Sequence, residues 1–468
     1  MSHDTTIRLD VSRVFSDAVG EHGLDEKALE ALAPAAAAAH EAVEGARGTG
    51  MLGWTELPKS TEAVERSREV WAKVGDGIED LVVFGIGGSA LGTTCVATAL
   101  LHPMHNHLSR EARGGAPRIW VLDNIDPDWI AAHLDFIDPA KTVFSVVSKS
   151  GTTAETMSQF LIARKMLEDR LGPDYSRHVV CTTDPEGGKL RKIAADEGFE
   201  TLPVPQGVGG RFSVLSPVGI FPAVATGVDV ETLLAGAAAM DERCRVADMW
   251  KNPALLQAAI LHALGAMGVN IHVMLPYSQA LRDYADWYKQ LLAESLGKRS
   301  ARDGSVVHAG PTPAKALGVT DQHSQIQLYT EGPFDKLITV IEVEKFSGSL
   351  PLPSVYEGIE GVSYLGGHTL ADLMAAECAG TQVALEQGGR PFNVLTVPEV
   401  NARVLGELFA WAEMAIAYGG ELLNIDAFDQ PGVEAGKRAA YALMGRKGFE
   451  ELRAELEGRA APSPKHLL

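Results

Sequence analysis

The stretch LVVFGIGGSALG, residues 81–92, decides how the chain is read. An apolar run too short for a helix, rich in branched side chains, enters three glycines, Gly85, Gly87 and Gly88, and then a helix-like segment at 88–101. That is the order of a buried strand, a tight turn and a helix. The same order recurs downstream. RIWVLDN (118–124), TVFSVVS (142–148), HVVCTT (178–183) and ETLPVP (200–205) read as strands, with helix-like stretches at 126–137, 154–171 and 187–197 that start near Gly, Ser, Thr, Asp or Pro. The alternation predicts a doubly wound, mainly parallel α/β sandwich.

A second series begins near residue 252 with an apolar helix, then strand NIHVMLPY (270–277), helix 279–296, strand KLITVIEVE (336–344), helix 368–388 and strand FNVLTVP (392–398). The division expected is a helical N-terminal extension at 1–70, with an alanine-rich run at 28–48, α/β domains at 71–235 and 236–420, and a C-terminal helical segment at 421–468. Two domains suit 468 residues, more than one hydrophobic core usually organises.

A net charge of -20 argues against nucleic acid or an anionic membrane as partner, since both need clustered Lys and Arg. Cys95, Cys181, Cys244 and Cys378 are too scattered for a disulfide framework or a thiolate zinc site, and read as buried reduced thiols. No signal-peptide pattern opens the chain, and no run approaches the roughly 18 apolar residues of a membrane span. A cytoplasmic protein is expected.

Four motifs carry candidate chemistry. In GIGGSALG (85–92) the glycines permit close backbone approach, with Gly88 and Ser89 near a helix start, although the spacing differs from the dinucleotide pattern G-x-G-x-x-G. In SKSGTTAET (148–156) the hydroxyls of Ser148, Ser150, Thr152 and Thr153 surround Lys149 where a strand meets a helix. That combination suits a phosphate dianion better than it suits a plain N-cap. In GVGGRFSVLSPVG (207–219) Arg211 follows the flexible pair Gly209 and Gly210, a placement from which a cation can stabilise an oxyanion. In YADWYKQLLAESLGK (284–298) Gln290, Glu294 and Lys298 share one helix face beside an apolar stripe containing Trp287 and Leu291. If buried there, Glu294 is a candidate general base; if solvated, it is half of a surface Glu–Lys pair.

Weaker signals complete the set. His323, after Asp321 and Gln322, is the histidine best suited to proton transfer. His102, His105 and His107 form a tract without a neighbouring carboxylate or thiolate, so no metal site is assigned. NIDAFDQPGVEAGK (424–437) leads from a turn to a helix carrying Lys437.

Taken in order, GIGGSALG, SKSGTT, GGRFSVLSPVG, the 276–298 block, DQHS and FDQPGVEAGK resemble the glucose-6-phosphate isomerase family, in its shorter bacterial form. The longer form of the family carries a different residue pair within SKSGTT and extra peripheral segments. The resemblance implies two sugar-isomerase α/β/α domains, a homodimer, and reversible isomerisation of glucose 6-phosphate and fructose 6-phosphate in glycolysis and gluconeogenesis, with no cofactor. Gly88 and Ser89 would then touch sugar, and Ser148, Lys149, Ser150 and Thr153 the phosphate. Gly210 and Arg211 would lie beside the reacting carbons, with Gln290 a substrate contact and Glu294 the base. His323, supplied by the partner subunit, and Lys437 would open the ring, and Gln430 would complete the site. A sugar-phosphate-binding regulator of the same fold is the alternative, which would keep the phosphate cradle and need no base. A nicotinamide dehydrogenase rests on the glycine turn alone.

Overall fold

A computed structural model describes residues 6–459 and 463–466. Strand β1 (Arg8–Asp10) precedes five strands of a first sheet, β2 (Asp80–Phe84), β3 (Arg118–Leu122), β4 (Thr142–Val147), β5 (Val179–Thr183) and β6 (Glu200–Pro203). Each lies within three residues of an apolar run named above. The order across this sheet is β3-β2-β4-β5-β6, with every pairing parallel. β2 and β4 are buried at every position, because helices cover both faces and no residue on either strand meets water.

The chain order reverses between β2 and β4: the chain runs outward to β3, then returns to the other side of β2. Such a switch point opens a crevice at the strands' carboxyl ends. The glycine turn follows β2 and the hydroxyl turn follows β4, so the two flank that crevice.

The second sheet contains β7 (Ile271–Pro276), β10 (Thr312–Lys315), β11 (Lys336–Lys345) and β12 (Phe392–Glu399), and a hairpin of β8 (Lys298–Ser300) and β9 (Val306–Ala309) stands apart. The order is β1-β12-β11-β7-β10. All pairs are parallel except β1 on β12, so the N-terminal stretch expected to be helical also supplies an edge strand. Two mainly parallel α/β layers with helices before and after them are the architecture that the alternation predicts.

Helix Ala402–Leu422 is buried over almost its whole length and packs on helices Val230–Cys244 and Pro253–Ala266. Glycines set the first contact. A Cβ at Gly236 would lie 1.9 Å from the Arg403 carbonyl oxygen, and one at Gly406 would lie 1.9 Å from that of Leu233. The four cysteines are free and buried. The chain forms two compact units, one ending at Ala427 and the other, from Phe428, containing helices Glu434–Leu443 and Glu450–Glu457. Among the described residues no helix is long and apolar enough to cross a membrane.

Candidate active site

β2 delivers the chain into a tight turn at Gly87–Ser89. Gly87 has φ +57°, and a Cβ there would meet Gln290 Nε2 at 2.7 Å; a Cβ at Gly88 would lie 2.2 Å from the Gly210 carbonyl carbon. The glycine turn therefore packs backbone to backbone against the turn Gly210–Phe212, a fit that any side chain at Gly88 would prevent. Ser213 Oγ donates to Gly210 O at 2.6 Å and reaches Gly88 O at 3.3 Å. Ser89 stands at the end of the first turn, with its hydroxyl bonded to no described residue.

Arg211 is only 3% exposed, so its charge requires partners within the protein. Nε donates to Ser295 Oγ at 2.7 Å and Nη2 to the Ala427 main-chain oxygen at 2.6 Å. Nη1 stands 3.4 Å from Glu294 Oε2, a loose ion pair. Gln290 Nε2 donates to the other oxygen, Oε1, at 3.1 Å. The carboxylate is thus held from two sides, by its own helix Arg282–Leu296 and by the Arg211 turn.

Glu294 is not the buried carboxylate imagined from its neighbours. Trp287 and Leu291 turn inward and are fully buried, whereas the Glu294 side chain keeps 32% exposure. It does not form the surface Glu–Lys pair either. Lys298 Nζ donates to the Glu294 main-chain oxygen at 2.7 Å, because the helix ends at Leu296 and leaves that carbonyl without an amide donor. Gln290 Oε1 is buried without a hydrogen-bond partner, leaving a free acceptor beside the carboxylate.

The hydroxyl turn closes on itself. Ser148 Oγ bonds Thr153 Oγ1 at 3.1 Å and accepts from the Gly151 amide at 3.0 Å; Ser150 Oγ bonds Thr152 Oγ1 at 2.9 Å. Gly151 has φ +64° and lies against Leu190, where a Cβ would come within 2.0 Å of the Leu190 nitrogen. Thr153 precedes helix Ala154–Leu171 without capping it through its side chain, so its hydroxyl is turned into the turn. Lys149 Nζ donates to Val208 O at 3.2 Å, tying this turn to the loop that carries Arg211.

The structure thus brings together Gly88, Gly210, Arg211, Gln290 and Glu294, and links Lys149 to the same loop. His323 is exposed on the short turn Thr320–His323, and its ring bonds to no described residue. Gln430 and Lys437 belong to the C-terminal unit, where Lys437 is exposed and pairs with Glu434 at 3.0 Å. Of the three-histidine tract, His105 turns inward onto the Pro117 carbonyl, and burial lowers its pKa. No group of three or more potential metal ligands occurs among the described residues. Ser295, Ser213 and the Ala427 carbonyl escaped the sequence reading. A lone hydroxyl on the apolar side of the Glu294 helix was the single hint, pointing to Ser295.

Two parallel α/β layers with this crevice make the chain a protein of the sugar-isomerase fold class. A crystal structure of a glucose-6-phosphate isomerase from Chlamydia trachomatis matches it with a TM-score of 0.77 at 25% identity, covering 93% of this chain and 89% of that one. The structure of a hypothetical protein from Thermus thermophilus matches with a TM-score of 0.84 at 37% identity, covering 94% and 100%. A glucose-6-phosphate isomerase from Carboxydothermus hydrogenoformans is 46% identical over 96% of this chain and 97% of its own length. The family profile described as phosphoglucose isomerase matches residues 55–345 and 375–456. The chain belongs to the phosphoglucose isomerase family.

Proposed function

We propose that the protein interconverts glucose 6-phosphate and fructose 6-phosphate, as a glucose-6-phosphate isomerase of glycolysis and gluconeogenesis. The observation that carries the reading is the paired Glu294 and Arg211 beside the glycine turn: a partly exposed carboxylate and a buried cation fixed by Ser295 and Ala427. A carboxylate so placed takes a carbon-bound proton, and a fixed guanidinium stabilises the enediolate that results.

In this reading the hydroxyls of Ser148, Ser150 and Thr153 and the Lys149 ammonium hold the phosphate, while Gly88, Ser89, Gly210, Gln290 and Gln430 contact the sugar. Lys437, together with His323 of the partner subunit, exchanges the protons that open the ring. Glu294 then removes the C2 proton, giving a cis-enediolate stabilised by Arg211, and the same carboxyl returns the proton at C1. One base serves both carbons. The acting form is a cytoplasmic homodimer that uses no metal.

The paired base and cation favour an enzyme over a regulator of the same fold, because holding a sugar phosphate requires the cradle and no base. The test is turnover of fructose 6-phosphate in EDTA, wild type against Glu294→Gln. Wild-type turnover that falls by about 10³-fold or more in a folded variant is expected. Sugar-phosphate binding without wild-type turnover would overturn the reading in favour of a regulator, and restoration of EDTA-treated enzyme only by a divalent ion would overturn the metal-free route.

A further inference from the structure

The first sheet has a second charged crevice, at the edge opposite the hydroxyl turn. Asp80 opens β2, Arg118 opens β3, and Lys141 immediately precedes β4, so these three lie at the amino ends of their strands, opposite the carboxyl ends of β2 and β4 that carry the turns described above. The length of β4, six residues or roughly 20 Å, separates Lys141 from Ser148. Main-chain bonds knit this edge: Glu79 N donates to Lys141 O and Arg118 N to Glu79 O, both at 2.8 Å.

Around a cavity of about 320 Å³ stand Arg110, Arg113, Arg118 and Lys141, opposed by Glu79, Asp80 and Asp138. Four cations against three carboxylates is unusual in a chain of net charge -20. The pairing is also uneven. Both Asp80 oxygens are used by Arg118, at 2.7 Å each, and one of them also accepts from Trp120 Nε1. Arg110 takes Glu79 at 3.2 Å and the Ile78 carbonyl at 2.6 Å.

Of the other two cations, one is paired only loosely and one not at all among the described residues. Arg113, whose side chain is 4% exposed, spends its donors on the neutral carbonyls of Leu108 and Ala116, and comes no nearer than 3.5 Å to Glu79. Lys141 is exposed at the rim, and its ammonium has no partner among the described residues. Asp138 is partly committed, accepting from the Ala140 amide and lying 3.9 Å from Arg170. Burial first, and then the Arg118 charge, lower the Arg113 pKa, with Arg110 adding to the effect and Glu79 and Asp80 offsetting only part of it. A buried guanidinium in this position is stabilised by an added anion.

We propose that this crevice is a second oxyanion site, binding a phosphoryl group between Arg113, Arg110 and Lys141, separate from the hydroxyl turn. Phe136, whose ring lies 4.8 Å from the Arg118 guanidinium carbon, gives the cavity one apolar wall against which the organic part of a phosphate ester would rest.

The site is tested by calorimetric titration of the full-length protein with inorganic phosphate and, separately, with phenyl phosphate, comparing wild type, Arg110→Ala/Lys141→Ala and Lys141→Arg. Two binding events per chain are expected in the wild type. The double variant should lose one of them, or weaken it by about tenfold or more, while a cooperative melt shows it folded and fructose 6-phosphate turnover stays unchanged; Lys141→Arg should keep both. Phenyl phosphate binding more tightly than phosphate assigns an organic phosphate, and equal binding assigns the free anion. If the hydroxyl turn binds no phosphate, the wild type will show one event and the double variant none, so failure of the active-site reading is distinguishable. Isotherms of the wild type and the folded double variant that superimpose would overturn the proposal.

Discussion

The hydroxyl turn at Ser148–Thr153 and the Arg211 clasp are neighbours built on opposite principles. In the turn, Ser148 finds Thr153 and Gly151, and Ser150 finds Thr152, all within five residues. Arg211 bonds Glu294, Ser295 and Ala427, which lie 83, 84 and 216 residues along the chain. A short segment can close the first with little loss of chain entropy, whereas the second exists only once the larger unit has folded. The hydroxyl contacts of the turn are therefore local to its segment, although its main chain is framed by Thr182 and Thr183, whereas the clasp is wholly a property of the fold. Substitutions in the turn should act on binding alone, and substitutions in the clasp on the chemical step.

The sharpest test of that contrast is Arg211→Ala. Losing a fixed cation at the developing oxyanion should lower kcat by about 10²- to 10³-fold, with KM for fructose 6-phosphate changing far less. Arg211→Lys keeps the charge but cannot reach Ser295, Ala427 and Glu294 together, because an ammonium lacks the planar fork, so it should recover only part of the loss. A variant in which KM rises and kcat holds would make Arg211 a binding residue like those of the turn, and the contrast would break.

The support beneath the Glu294 helix offers a pH test. Tyr288, on that helix, bonds His272 Nδ1 at 3.0 Å, and His272 Nε2 bonds Thr339 Oγ1 at 2.8 Å, which joins the helix to β7 and β11. His272 is fully buried, and burial lowers its pKa to about 3. The folded pKa is the lower one, so the unfolded chain binds more protons as pH falls. The stability in question is present above the ordinary imidazole value and is lost below it. Between pH 6.5 and 5 the loss from this residue should be roughly 2 kcal/mol. Urea unfolding of wild type and His272→Asn at several pH values isolates it: the difference between the two should shrink as pH falls. A difference independent of pH would show that the imidazole titrates alike in both states.

Segments that organise themselves were legible in the sequence, and meetings between segments were not. Strands β2 to β6 appear because each lies in a short, largely apolar run between turn signals, although only β2, β4 and β5 are buried throughout. β1, β8, β9 and β10 were missed because they are short, three or four residues, without the neighbouring apolar run that marks β6, and KRS at 298–300 has no apolar alternation. The face shared by Gln290 and Glu294 was readable from helical spacing and is present. The partner of Lys298 was not, since the choice between a carboxylate and a main-chain oxygen depends on where the helix ends. Ser295 illustrates the limit. One hydroxyl in an apolar face signals a buried polar contact, but only the folded chain puts Arg211 against it.

The smallest expected effect falls on the turn itself. In Ser148→Ala the Gly151 amide loses its acceptor and Thr153 Oγ1 its partner, while the main-chain frame persists: Ser148 N still donates to Thr182 O at 3.1 Å, and Thr183 Oγ1 still donates to the residue 148 carbonyl at 2.8 Å. A hydrogen bond to a charged group such as phosphate contributes about 1.5 kcal/mol at the low end, so KM for fructose 6-phosphate should rise about tenfold, with kcat within about twofold of wild type. That split follows if phosphate binding is equally strong in the ground and transition states, as expected for a group remote from the reacting carbons. If kcat falls as steeply as KM rises, the turn must be transmitting position to the reacting centre. The Lys149 bond to Val208, in the loop that carries Arg211, would then be the first connection to cut.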